Sequence, residues 1–246
     1  MTEEYGLIGY PLGHSFSKNF FNEKFASEGV DAVYNNFEIS NIKLLPKLLK
    51  LHPDLRGLNV TIPYKQQLLP YLDELSPEAK QIGAVNVVKI THIGNKTHLK
   101  GMNSDVVGFK RSIEPLLEPH HKAALVLGTG GAARAIHYGL EQLGVKAQYV
   151  SRTKKTGCIT YEEITPEVIR QYPVIVNCTP LGMYPRVNEC PPLPYEAMDK
   201  YCLLYDLIYN PDQTLFLKRG LQHGAVVKNG LEMLLLQAYV SWEMWQ

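Results

Sequence analysis

The residues Ala123-Ala-Leu-Val-Leu-Gly-Thr-Gly-Gly-Ala-Ala-Arg-Ala-Ile136 constrain the fold of this 246-residue chain more than any other stretch. Five apolar residues, 123–127, predict a buried strand, and a glycine-dense turn runs from Gly128 to Gly131. A helical pattern follows, with Ala133, Ile136, Leu140 and Leu143 on one face. Gly144 stands where a helix C-cap belongs. Strand, glycine turn and helix N-terminus together form an arrangement that receives a pyrophosphate on backbone N–H groups. Gly128 permits the sharp turn, Gly130 lets a phosphate approach bare backbone, and Ala133 lets helix and strand pack closely. No Gly-Lys-Ser/Thr follows, which excludes a P-loop. The same glycines would also serve a tight strand-to-helix turn with no ligand, so two readings stay open.

Composition narrows the partners. A net charge of +1 offers no electrostatic case for nucleic acid or a membrane surface. No apolar run approaches the ~20 residues of a membrane span. The acidic start Met-Thr-Glu-Glu-Tyr lacks the basic region of a signal peptide, so a cytoplasmic location is expected. The four cysteines (158, 178, 190, 202) include no Cys-x-x-Cys pair, and the eight histidines show no ligand spacing. No metal site is expected.

Along the chain, Tyr5–Gly9 reads as a first strand and 10–13 as a turn. A helix opens at His14–Lys18 and runs to about Glu28, with Phe20, Phe21 and Phe25 inward. A strand over 32–39 is followed by a helix capped by Ser40, whose leucines 44, 45, 48 and 49 point inward. A strand at 55–61 precedes a short helix from Lys65. Ser76-Pro77-Glu78 gives cap, first helical position and acidic first turn in order. Strands at 84–90 and 97–100 are joined by a turn at Gly94-Asn95. A helix from Asn103-Ser-Asp105 to Leu117 looks like a bridge between domains. Strands then follow at 145–150, 174–177, 203–207 and 225–227, and an amphipathic helix at 231–245. Strands alternating with helices over 1–83 predict an α/β layer separate from the later unit.

Several polar residues fall at strand ends, where open α/β sheets place ligand groups. Ser15 and Ser17, at a helix start, either cap it or hold a carboxylate with neutral donors and the helix dipole. Asn59 and Thr61 alternate on one face of an otherwise apolar strand. Lys65 is the only charge between Arg56 and Asp73. That isolation suggests a partly desolvated ammonium suited to acid–base work, although a solvated surface lysine is the commoner arrangement. Asn86 lies inside an apolar strand and needs a partner, either backbone or ligand. Asp105 either caps its helix or holds and orients Lys65.

These motifs occur in the order found in the shikimate dehydrogenase family. They are Ser15-Phe-Ser17, Asn59-Val-Thr-Ile-Pro-Tyr-Lys65, Gly83-Ala-Val-Asn86, Gly101-Met-Asn-Ser-Asp105 and the glycine loop at 128–133. Asn177-Cys-Thr-Pro-Leu-Gly-Met183, Asp206-Leu-Ile-Tyr209 and Gly230-Leu-Glu-Met-Leu-Leu-Leu-Gln237 continue the series. The chain therefore resembles that family over nearly its whole length. The resemblance implies an α/β, two-domain fold: an N-terminal open α/β substrate domain and a Rossmann-like doubly wound NADP-binding domain with a cleft between them. Residues 1–104 with a helix at 229–246 would bind substrate, and 105–228 the cofactor. It implies that Ser15 and Ser17 hold a substrate carboxylate. Asn59, Thr61, Asn86, Tyr209 and Gln237 would surround the ring hydroxyls, with Lys65 and Asp105 as the catalytic pair. The cofactor would be held by Gly128, Gly130, Gly131, Ala132, Ala133, Ser151, Arg152, Thr153, Lys155, Thr179, Met183 and Gly230.

The implied activity is NADP-dependent reduction of 3-dehydroshikimate to shikimate, by a monomer or homodimer. The alternatives are a relative that oxidises quinate or uses NAD, and a non-catalytic dinucleotide-binding sensor. Two departures from the family pattern bear on this. Where the family has Asn-Arg-Thr-x-x-Arg/Lys, this chain has Ser151-Arg-Thr-Lys-Lys-Thr156, and no acid follows before Glu162. An acid there would bind a ribose 2′-hydroxyl and repel a phosphate; its absence beside Arg152, Lys154 and Lys155 favours NADP. The second departure is length. Only residues 153–157 precede the strand-like Cys158–Tyr161, whereas a crossover takes at least ~10–12 residues. The usual helix is expected to be missing, the strand short, irregular or absent, and the next helix to run from Glu162 to Tyr172.

Overall fold

The computed structural model describes residues 2–13, 16–94 and 96–246. Contacts divide the chain into two compact units, Met1–Ser104 with Ala238–Gln246, and Asp105–Gln237.

The first unit opens with β1 (Glu3–Gly9), α1 (Phe16–Glu28) and β2 (Ala32–Glu38). Next come a 3-10 turn at Ile42–Leu44, α2 (Leu45–Leu51), β3 (Leu55–Val60) and α3 (Tyr64–Gln67). β4 (Glu74–Leu75), α4 (Pro77–Ile82), β5 (Val87–Ile93) and β6 (Lys96–Met102) complete it. The sheet order is β2-β1-β3-β5-β6-β4. β1 is parallel to β2 and β3, whereas β5 runs antiparallel to both β3 and β6.

Strand alternation sends β1 side chains to two cores. Tyr5 and Leu7 pack with Phe21, Phe25, Tyr34, Val87 and the C-terminal Trp245. Ile8 faces the other way, against Leu45, Leu48, Leu58, Tyr64 and Leu68. A Cβ on Gly57 would stand 2.5 Å from the Trp245 Nε1, so the bare backbone of β3 makes room for the indole. Trp245 Nε1 in turn donates to the Val88 carbonyl at 3.0 Å.

The second unit begins with α5 (Asp105–Ile113), β7 (Ala123–Leu127), α6 (Gly131–Gln142) and β8 (Lys146–Ser151). β9 (Cys158–Thr160), α7 (Pro166–Gln171), β10 (Val174–Asn177) and β11 (Leu203–Asp206) follow. α8 (Leu215–Gln222), β12 (Val226–Lys228) and α9 (Leu231–Trp245) end the chain. All six strands are parallel, in the order β12-β11-β10-β7-β8-β9. From β7 the chain winds one way through β8 and β9, then the other through β10, β11 and β12. That reversal is the topological switch point of a doubly wound sheet. Ala124, Val126, Val174, Val176 and Tyr205 pack with Phe109, Ile136 and Leu140 on one face. Leu125, Leu127, Ile175 and Leu204 pack with Ile169, Phe216 and Leu217 on the other.

Several expectations are corrected. Asn41, not Ser40, caps the turn before α2, its side chain accepting from the Lys43 N–H at 3.0 Å. Leu45 and Leu48 are buried, but Leu44 is exposed because the 3-10 turn precedes the α-helical register. The helix from Asp105 stops at Ile113 and gives way to a 3-10 turn at Glu114–Leu116, since Pro115 lacks the N–H to continue it. Its residues fall in the second unit. The returning C-terminal segment starts at Ala238 instead of 229: Met233 packs with Phe109 and Tyr205 in the second unit, Trp245 with Tyr5 in the first. Asn86 precedes β5 instead of lying inside it. His14, Ser15 and Asn95 lie outside the described residues.

After β8 no helix intervenes. β9 is three residues long, and Tyr149 pairs with Cys158, Val150 with Ile159 and Ser151 with Thr160. The chain retreats only to the level of Tyr149, so a short loop returns it without a crossover helix. The expected helix over 162–172 is split into a 3-10 turn at Tyr161–Glu163 and α7. Thr165 accepts from the Val168 N–H and Pro166 takes the first helical position, which starts a new helix there.

Candidate functional site

In the first unit the expected polar residues gather at the carboxyl end of β3. Asn59, buried near that end, accepts a hydrogen bond from the Tyr34 hydroxyl at 2.8 Å. Its amide nitrogen donates to Ser241 Oγ at 3.0 Å and to the Asn86 carbonyl at 3.4 Å. Asn86 is buried too; its Nδ2 donates to Ser104 Oγ at 2.9 Å and its Oδ1 accepts from the Ser104 N–H at 2.7 Å. Ser104 Oγ and Ser241 Oγ lie 3.0 Å apart. Ser17, second residue of α1, has its side chain beside the Tyr34 hydroxyl. Thr61 follows β3, half-buried, and its carbonyl accepts from the Tyr64 N–H that opens α3. Lys65 is half-buried on α3, and its carbonyl accepts from the Val85 N–H at 2.7 Å, which ties α3 to the segment bearing Asn86. Ser15 lies outside the described residues.

In the second unit, Asp105 is the buried first residue of α5, in the turn where the helix dipole favours a carboxylate. Gly128 follows β7 with a φ of 109°, which an L side chain would resist. Gly130 is the N-cap of α6, and no side chain caps that terminus. A Cβ on Gly130 would meet no protein atom within 4 Å, so internal packing does not require glycine there. Gly131 and Ala132 begin the helix, while buried Ala133 lets it lie close against the sheet. Ser151 ends β8, and its Oγ accepts from the Thr153 N–H at 3.4 Å. Arg152, Thr153 and Lys155 are exposed, and Lys155 Nζ donates to Thr129 Oγ1 in the glycine turn at 3.3 Å.

The segment after β10 is organised by a buried carboxylate. Asp206 accepts from Asn177 Nδ2 at 3.0 Å, from the Ile208 N–H at 3.0 Å and from Thr214 Oγ1 at 2.6 Å. Burial pushes its carboxyl up to about 6, against the pull of those three donors. Asn177 Oδ1 accepts from both the N–H and the hydroxyl of Thr179, at 3.0 and 2.7 Å. Met183 is exposed at the far end of that loop, and Tyr209 is exposed beyond β11. Gly230 has no room for a side chain: a Cβ would stand 2.1 Å from the Leu207 carbonyl oxygen. Gln237 on α9 donates to the Leu234 carbonyl at 3.0 Å.

Tyr34, Ser104, Ser241, Thr129 and Thr214 were not expected at these places. Tyr34 and Ser241 lie 25 and 182 residues from Asn59, so no local spacing announces them. Among the described residues no group of three His, Cys, Asp or Glu side chains is placed to hold a metal, and no helix is long and apolar enough to cross a membrane.

Residues 7–88 match the family model for the shikimate dehydrogenase substrate binding domain. The chain is 37% identical to shikimate dehydrogenase (NADP(+)) of Carboxydothermus hydrogenoformans, covering 99% of this chain and 91% of that one. Shikimate 5-dehydrogenase of Thermus thermophilus, solved with NADP(H) and shikimate, superposes with a TM-score of 0.85 at 30% identity, covering 99% and 93%. Quinate dehydrogenase of Corynebacterium glutamicum, solved with NAD, gives a TM-score of 0.85 at 28% identity, covering 100% and 94%.

Proposed function

This chain belongs to the shikimate dehydrogenase family, and from that premise we propose that it reduces 3-dehydroshikimate to shikimate with NADPH, reversibly. The observation that carries the reading is the N-terminus of α6. It stands at the switch point of a doubly wound sheet, lacks a side-chain cap, and begins at a glycine that the protein's own packing does not demand. An approaching pyrophosphate supplies the missing reason for that glycine. Gly128, Gly130, Gly131, Ala132 and Ala133 would cradle it, with Thr179, Met183 and Gly230 beside the nicotinamide. Ser151, Arg152, Thr153 and Lys155 would take the adenosine end, where two cations and no acid suit a 2′-phosphate. When bound, the cofactor supplies the hydride acceptor and donor.

The chain's own residues do the rest. Ser15 and Ser17 hold the substrate carboxylate with neutral hydroxyls. Asn59, Thr61, Asn86, Tyr209 and Gln237 surround the ring hydroxyls. Lys65 and Asp105 act as a coupled pair on the reacting hydroxyl: the ammonium stabilises developing alkoxide charge and exchanges its proton, and the carboxylate orients both. Residues 1–104 and the end of α9 form the substrate part in this reading, and 105–228 the cofactor part. A monomer or homodimer in the cytoplasm completes it.

Following nicotinamide absorbance with shikimate and quinate, each against NADP and NAD, tests the assignment. Shikimate with NADP is expected to give the highest kcat/KM by a wide margin. The serine and threonine that replace basic or amide positions in 151–156 leave NAD as the competing cofactor, and the highest kcat/KM for quinate with NAD would overturn the reading.

A further inference from the structure

We propose that Tyr34 and Ser241 are positioning residues that lock the Asn59 amide in one orientation, so that it meets the substrate as a hydrogen-bond acceptor. This rests on the dehydrogenase reading above and deepens it at the substrate. The polarity follows from groups that cannot change role. The Asn86 carbonyl only accepts, so the group facing it at 3.4 Å is the Asn59 amide nitrogen. The nitrogen's second hydrogen goes to Ser241 Oγ at 3.0 Å. Both donors of Asn59 are thereby used inside the protein. Its Oδ1 then faces the Tyr34 hydroxyl at 2.8 Å, which donates, and one further lone-pair direction remains for an incoming hydroxyl.

The second asparagine is fixed by the same logic. The Ser104 N–H can only donate, so it faces Asn86 Oδ1 at 2.7 Å and the amide nitrogen turns to Ser104 Oγ. Ser104 Oγ adjoins Ser241 Oγ at 3.0 Å, so Ser241 stands between the two amides. Tyr34, Ser104 and Ser241 are all fully buried, where a misoriented amide would strand polar atoms away from water. Tyr34 is itself held independently of its hydroxyl. Its ring stacks on Phe21 at 4.7 Å between centroids, and its backbone exchanges hydrogen bonds with the Asn22 side chain at 2.9 and 3.0 Å.

The consequence is chemical. An acceptor-only Asn59 reads a substrate hydroxyl that keeps its proton throughout, and cannot serve the oxygen that becomes a carbonyl. Recognition of that hydroxyl is thus set by two fully buried residues behind Asn59.

Steady-state kinetics of wild type, Tyr34→Phe, Asn59→Ala and the double variant test this, with Ser241→Ala as a second probe. Tyr34→Phe keeps the stacked ring and removes only the hydroxyl. It is expected to raise the shikimate KM roughly three- to tenfold, the scale of one neutral hydrogen bond, with kcat and the NADPH KM within about twofold. Ser241→Ala should move KM in the same direction. In the Asn59→Ala background the Tyr34→Phe effect on KM should shrink to the part that passes through Ser17, the other polar neighbour of the Tyr34 hydroxyl. A Tyr34→Phe KM equal to wild type, or an effect that persists undiminished without Asn59, overturns the proposal. Folded wild type that fails to turn over shikimate would sink the dehydrogenase reading itself, a different and separately visible result.

Discussion

Asn177 and Asp206 are direct register partners on the parallel strands β10 and β11, and their side chains are joined by an Nδ2–Oδ1 hydrogen bond of 3.0 Å. This one contact binds two loops. Asn177 Oδ1 gathers Thr179, while Asp206 gathers Ile208 and Thr214. Gly182 closes the arrangement, its α-carbon so near Thr214 that a Cβ would stand 3.3 Å from that side chain.

A buried carboxylate that titrates near 6 makes stability depend on pH, and the sign follows from linkage. The folded-state value, about 6, lies above the reference value of 3.8. The contribution of Asp206 to stability is therefore full below the unfolded value and is lost as pH rises through 6. Asp206→Asn keeps an oxygen for Asn177 and Ile208 and turns its nitrogen toward Thr214 Oγ1, which can accept. From about pH 5 to about pH 7.5, wild type should lose on the order of 1–2 kcal/mol relative to this variant. Urea melts of the two proteins across that range measure it. Parallel pH curves would mean that Asp206 is ionised throughout.

The sequence made the doubly wound sheet of the second unit legible because its information is local. Strand, glycine turn and helix are contiguous at 123–142, and alternation of Ala124 and Val126 against Leu125 and Leu127 already implies a sheet covered on both faces. The short β9 was legible from chain length alone. Asn86 was misread because Val85 and Val87 flank it like a strand, whereas a pairing with Ser104 holds it just outside β5. The roles of Tyr34 and Ser241 were invisible for a related reason. Tyrosine in a β-strand and serine in a helix carry no signal by themselves, and only the folded sheet brings them to Asn59. Capping at Asn41 instead of Ser40 is a competition between two good cap residues that spacing does not decide.

Lys65→Ala should cut kcat by roughly 10²–10⁴-fold, the usual range for a positioned acid or base, while the shikimate KM moves less. The other polar groups proposed to surround the ring are untouched by that change. Asp105→Asn should resemble it. In the double variant the loss should fall well short of the product of the two, because residues acting as a unit are non-additive. A full multiplicative loss would show independent roles.

Ser15→Ala and Ser17→Ala should each raise the shikimate KM more than they lower kcat, since a carboxylate remote from the reacting carbon is bound alike in ground and transition states. Ser17 carries an additional test, because its side chain also lies beside the Tyr34 hydroxyl. Earlier melting with unchanged kinetics would mean that the hydroxyl only supports the fold around α1.

After β8 a missing helix leaves few groups to hold the adenosine end of the proposed cofactor. Residues 152–157 connect β8 directly to the three-residue β9, so the wall beside Ser151 is a single exposed loop. Lys155 is drawn toward the glycine turn by its contact with Thr129 Oγ1 at 3.3 Å, which places one cation over the pyrophosphate side of the proposed site. Arg152 follows Ser151 immediately, at the carboxyl end of β8, where a doubly wound sheet presents its ribose contact. A planar guanidinium there can grip a phosphate with two parallel hydrogen bonds, and no carboxylate follows before Glu162 to compete for it. Arg152→Ala should therefore weaken NADPH by about 1.5–3 kcal/mol, the worth of a lost charge-assisted contact, and leave NADH nearly unchanged. Lys155→Ala should weaken both cofactors, because its partner is the turn they share. Titrating NADPH and NADH against the three proteins by fluorescence separates these outcomes. Equal losses for the two cofactors in Arg152→Ala would mean that the 2′-phosphate is held elsewhere, and the argument for NADP from this loop would fail with it.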